Sequence, residues 1–154
     1  MARIVTATMG PGTWSVHAKR MRNVACRRYA EEFHNITKKA GFPIVRAFLL
    51  GQALELYLKA FLFHKGFGER SLKKKFGHDL TRLLDEATSQ GLDTSLHISS
   101  QLIADVKALN NVYASKALQY FSLLYFLSNP TLPKLERLFR FADALKQHTG
   151  SVVT

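Results

Sequence analysis

The longest apolar run, Val45 to Phe63, places hydrophobic residues on every side of a helical wheel and is interrupted by Arg46, Gln52, Glu55 and Lys59. A helix without a polar face belongs at the centre of a fold. Pro43 suits its first turn, and Gly66-Phe67-Gly68 stops it near Lys65. Upstream, Val16, Met21, Val24, Ala25, Phe33 and Ile36 form an irregular stripe, predicting a helix from Thr13 to Lys39 that ends at Gly41 and packs antiparallel to the central one.

Downstream, Arg70-Ser71-Leu72-Lys73-Lys74-Lys75 is too polar for the core and reads as loop or a short helical turn. Gly77-His78-Asp79 starts a third helix with Leu80, Leu83, Leu84 and Ala87 on one face, ending at Gly91. Asp93-Thr94-Ser95 offers capping oxygens for a fourth, which carries Ile98, Leu102, Val106, Leu109 and Tyr113 at helical spacing. The stretch from Lys116 to Leu127 is aromatic and apolar, and Pro130 and Pro133 break the chain before a last amphipathic helix through Gln147. No strand alternation appears. The pattern predicts an all-α, single-domain bundle of about five helices over residues 13–148, with a loose leader at 1–12 and a tail at 149–154.

Length and composition agree with one core: 154 residues at 47% hydrophobic content are too few for two ordinary domains. The single cysteine, Cys26, excludes an intrachain disulfide and a Cys-rich zinc site and suits a reducing cytoplasm. The first nine residues lack the apolar core of a secretory signal. The central run approaches membrane-spanning length, but each charge in it costs about 2.5–3.5 kcal/mol near a bilayer centre, so a buried helix is expected and no membrane partner. No His-Glu-x-x-His, P-loop or Gly-x-Gly-x-x-Gly motif is present, so neither metal nor cofactor is expected.

Charge adds a partner class. The net charge is +11, and the whole excess lies in residues 1–82, which hold 16 Lys/Arg against 5 Asp/Glu; the remainder is balanced. A one-sided basic field favours polyanions such as RNA, although a high pI also simply aids solubility.

Three sets of residues could use that field. Glu55 and Lys59, one helical turn apart among apolar neighbours, either pair structurally or line a cleft. His78 and Asp79 either cap a helix or, with Lys73, Lys74 and Lys75, form a basic pocket for phosphate at a helix N-terminus. Asn110, Tyr113, Lys116 and Tyr120 recur every three or four residues, as core tyrosines with wet tips or as a face that stacks on a base.

The Glu55-Leu-x-Leu-Lys59-Ala helix, the Gly77-His78-Asp79-Leu80 turn and the Leu109-Asn110-x-x-Tyr113 segment, in that order and spacing, resemble the HEPN superfamily over roughly residues 45–120. The resemblance implies a small helical domain that binds RNA or nucleotide, within a toxin–antitoxin or stress-defence system, and a homodimer. It also raises two alternatives: a metal-independent RNase, or a non-catalytic module docking a nucleotidyltransferase-type partner. Catalytic members carry Arg, four to six residues, then His on a late helix, and that position is empty here. The spacing occurs instead on the first helix, where Arg27 or Arg28 precedes His34. Arg27 and His34 would share a face, with Glu31 between them. That face could join a second copy as an RNase site, with His34 as acid or base, or be an ordinary surface ion pair beside a surface histidine.

Overall fold

A computed structural model of the chain describes residues 11–39, 43–114 and 132–151. Among these the structure is entirely helical, with seven helices and no strand. They are α1 (Pro11–Lys39), α2 (Pro43–His64), α3 (Glu69–Lys75), α4 (Leu80–Ser89), α5 (Leu92–Ser95), α6 (Ser100–Tyr113) and α7 (Leu135–Ser151).

The central position of α2 follows from its pattern. Leu50, Leu54, Tyr57, Leu58, Phe61 and Leu62 are all buried, so apolar groups project from every side of the helix. Its sides are covered by α1, α4, α6 and α7. The α1 and α2 helices pack antiparallel along their lengths: the Cys26 thiol reaches the Leu56 carbonyl at 3.4 Å, two positions about equally far from the connection. The amphipathic helices supply the rest of the core through regular stripes: Leu80, Leu83, Leu84 and Ala87 from α4, Leu102, Val106 and Leu109 from α6, and Leu138, Phe141, Ala142 and Leu145 from α7.

Three boundaries differ from the sequence expectation. The first helix begins at Pro11, inside the expected leader, and the last runs through Ser151 into the expected tail. The basic connector takes the helical one of its two expected forms, as α3, because Leu72 is buried and anchors it while the lysines are exposed. The largest correction concerns the fourth helix. Asp93-Thr94-Ser95 lies within the one-turn α5, and Asp93 accepts from the Ile98 N–H at 3.4 Å. The helix that carries Tyr113 is capped instead by Ser99, whose hydroxyl accepts from the Leu102 N–H at 3.2 Å. The two short helices α3 and α5 raise the count above about five. Among the described residues, no helix is long and apolar enough to cross a membrane.

The Arg27/His34 face of α1 is an inner one. His34 is 1% exposed, edge-on to Tyr57 of α2 and tilted against Phe139 of α7. It is therefore a packed histidine, not the surface one expected. Its Nε2 lies 3.4 Å from Asp143. Burial pulls its pKa below the ordinary value; Asp143 opposes that shift, and Lys38 and Lys146 add to it. His148 on α7 is shifted the same way by burial, Lys65 and His64.

The sign of the resulting pH dependence is fixed. A histidine whose folded pKa lies below its unfolded value of about 6.5 binds its proton more readily in the unfolded chain, so stability falls as pH drops below that value. Thermal unfolding from about pH 8 to pH 5 should show Tm falling on the acid side, and His34→Asn should flatten the slope, leaving the His148 share. An unchanged slope in that variant would mean that His34 is not the group titrating.

Candidate functional site

The three sequence segments set apart by charge meet around one carboxylate. Glu55, on the inner side of α2, is 3% exposed and is contacted from three directions. Lys59, one turn along the same helix, donates to Oε1 at 2.5 Å. The Tyr113 hydroxyl, at the end of α6, donates to Oε2 at 2.6 Å. The His78 ring, from the turn between α3 and α4, places Nδ1 at 3.1 Å and 3.0 Å from the two oxygens. A carboxylate has lone pairs enough for all three, and burial without them would be costly.

Each partner is itself held. Lys59 donates a second bond to the Gly77 carbonyl at 2.8 Å, tying α2 to the turn that carries His78. Gly77 has φ +57°, a left-handed conformation that costs a side-chain-bearing residue roughly 1–2 kcal/mol, so glycine there ends α3 and lets the chain swing back to α2. Asp79 caps α4 through the Arg82 N–H at 3.1 Å. Asn110 of α6 reads the same helix start from the other side, accepting from the Leu80 N–H at 2.8 Å and donating to Asp79 at 3.1 Å. Burial and the adjacent Glu55 raise the Tyr113 pKa well above the usual phenol value, which keeps its proton available for donation.

Gly51 is a member of this site that sequence reasoning missed. It lies one turn before Glu55 on α2, and a Cβ there would stand 2.5 Å from Tyr113 Cδ2. The ring packs directly on the helix backbone, which brings its hydroxyl to Glu55. The available signal was a glycine inside an otherwise unbroken apolar helix, where a close approach is the usual reason.

The network opens on a cleft of about 400 Å³ between α1, α2 and α3. Lys59, Gly77 and His78 belong to its wall, as do Tyr29, Leu56, Phe63 and Leu72, and Lys73 and Glu69 contribute charges of opposite sign. His78 is 56% exposed, so its ring joins the buried carboxylate to solvent. Cys26 also lines the cleft; burial, with Glu55 adding and Lys59 opposing, pushes its thiol up to about 12, so it stays protonated and carries no thiolate chemistry.

The remaining candidates are dispersed. The three lysines of α3 diverge: Lys73 faces the cleft, Lys74 is exposed, and Lys75 pairs with Glu86 of α4 at 2.8 Å while lying over the Phe76 ring. Arg27 is 3.8 Å from Glu31, Arg28 points to solvent and His34 is buried at α7. Lys116 and Tyr120 lie outside the described residues. Among the described residues no group of three or more His, Cys, Asp or Glu could hold a metal ion. No protein-family model, curated protein or solved structure matches the chain.

Proposed function

We propose that this is a HEPN-like domain that binds RNA or a nucleotide, with the cleft beside His78 as the seat for one nucleotide unit. The observation that carries the reading is the cluster of Glu55, Lys59, His78 and Tyr113, of which Lys59 and His78 reach the wall of a cleft that combines apolar and cationic groups. Those four residues come from the same three segments on which the HEPN resemblance rests. The cleft volume falls within the range of small-molecule sites. Tyr29, 65% exposed, and Phe63 offer faces for a base, and Lys73 and Lys59 offer charge for a phosphate. The surplus of positive charge in the first half would gather a longer strand around this seat.

Titrating the protein into end-labelled single-stranded RNA, with anisotropy recorded at rising salt, tests the proposal. Affinity should fall steeply with salt, and Lys73→Ala should weaken binding and reduce the slope of log K against log salt by about 0.7. No binding at low salt would overturn the reading.

A protein-interaction role in a toxin–antitoxin or stress-defence system is the second reading, with a homodimer or a nucleotidyltransferase-type partner. It is favoured by the exposed Ile36, which shares a face of α1 with Tyr29 of the cleft wall, seven residues earlier. Sedimentation with and without RNA separates the two: a dimer broken by Ile36→Lys, together with no RNA binding, supports the interaction module. The Arg27/Arg28–His34 form of an RNase gains no support from His34 packed against α2 and α7, because an acid or base must reach its substrate.

A further inference from the structure

The imidazole of His78 is unlike that of any other described histidine. Its Nδ1 is fixed between the two oxygens of a buried carboxylate, while the residue itself is half-exposed at a cleft. An ionised carboxylate only accepts, so the ring proton belongs on Nδ1 and the lone pair on Nε2. Glu55 is in turn immobilised by Lys59 and Tyr113, so the ring is held by a rigid base. This arrangement serves either a general base or a nucleophile. As a base it would act on water, on a substrate hydroxyl or on a protein hydroxyl or thiol within reach. Among the described lining residues there is no Ser or Thr, the one hydroxyl is the Tyr29 phenol, and the Cys26 S–H already donates to the Leu56 carbonyl, so the wall favours attack by the ring itself.

We propose that His78 Nε2 is itself the nucleophile and accepts a phosphoryl group from a small donor in the cleft. The donor class its walls favour is a nucleoside triphosphate, and that choice of donor rests on the nucleotide-binding reading above.

In the transfer the Nε2 lone pair forms a bond to the terminal phosphorus. The bond from that phosphorus to its bridging oxygen breaks, and the electron pair leaves with the nucleoside diphosphate. Nδ1 keeps its proton throughout, so the phosphorylated ring is cationic and Glu55 neutralises it at 3.0–3.1 Å. Lys73, an exposed lysine of the same cleft wall, supplies charge for the incoming oxygens. Glu55 is a positioning residue here, since it acts only through the ring.

The full-length chain is treated first with phosphoramidate, a donor that needs no nucleotide site, and then with magnesium–ATP. Intact mass and peptide mapping locate the phosphoryl group, and nitrogen-15 NMR reads the tautomer. The expected result is one acid-labile phosphoryl group on His78, formed at least tenfold faster than on the exposed His64 and His97 and absent in His78→Gln. His78 should show the Nδ1–H tautomer, and Glu55→Gln should slow labelling and mix the tautomers while leaving the helical circular dichroism intact. If Glu55→Gln fails to fold, Tyr113→Phe, which removes one restraint on the carboxylate, should reduce the rate and selectivity of labelling.

Labelling of His64 or His97 at the same rate as His78, or a bare Nδ1 in His78, overturns the proposal. ATP that binds without labelling, together with unselective phosphoramidate chemistry, overturns the acceptor role and leaves the binding reading intact. Selective phosphoramidate labelling without ATP binding overturns the nucleotide donor and keeps the nucleophile, and the RNA titration decides the binding reading separately.

Discussion

Glu55→Ala is expected to destabilise the protein by about 3–5 kcal/mol, because it removes one member of a buried ionic network and strands the others. Lys59, whose side chain is 16% exposed, would keep only the Gly77 carbonyl as a partner, and the buried Tyr113 hydroxyl would lose its acceptor. The cost arises mainly from charge and polarity left unpaired in a poorly solvated place rather than from the strength of the ion pair. Removing both charges should therefore cost less than removing one. Glu55→Leu with Lys59→Met should recover part of the stability lost in Glu55→Leu alone. Urea unfolding measures this directly: the midpoint should fall sharply in Glu55→Ala at an unchanged slope. A loss below about 1 kcal/mol would mean that the network is solvated like a surface pair.

The second large effect belongs to a residue with no side chain. Gly51→Ala ordinarily favours a helix by about 1 kcal/mol. Here the added methyl would lie 2.5, 2.9 and 3.0 Å from three Tyr113 ring carbons. The ring is 4% exposed and packs on Phe48 at 6.2 Å between centroids, so it has little room to withdraw. Overpacking of this kind costs about 1–3 kcal/mol. Displacing the ring also breaks the Tyr113–Glu55 bond, so the substitution should be net destabilising and should loosen His78. In a Tyr113→Ala background the same change should be neutral or stabilising. The two variants should thus be strongly non-additive in a double-mutant cycle, and additivity within about 0.5 kcal/mol would show that Gly51 and Tyr113 act independently.

Both effects bear on function through the same contacts. The cleft depends on the turn at Gly77 to His78, which is held by Lys59 from α2 and, through Asp79 and Leu80, by Asn110 from α6. Distant parts of the bundle thereby fix the orientation of one exposed ring. Under the proposed binding role, a variant that loosens Tyr113 should weaken RNA binding although Tyr113 is not among the described lining residues of the cleft.

The sequence by itself determined the helical class and the centrality of α2, because a run apolar on all sides has nowhere to lie except inside. It also offered Asp79 as a cap for α4, one of two readings, and singled out Glu55 and Lys59 as charges in need of partners, since capping and i,i+4 pairing are local interactions written in spacing. It did not determine the start of α6. Asp93-Thr94-Ser95 and Ser99 both offer capping oxygens, and the choice depends on how Leu92 and Leu102 are buried by other helices. The fate of His34 was equally beyond local pattern: a shared face with Arg27 was legible, but only the packing of α2 and α7 made that face an interior one. Gly51 had meaning only once Tyr113, 62 residues later, was laid against it. The convergence of Glu55, His78 and Tyr113 was decided by tertiary structure for the same reason: contacts between remote segments depend on how whole helices pack, which no local spacing encodes.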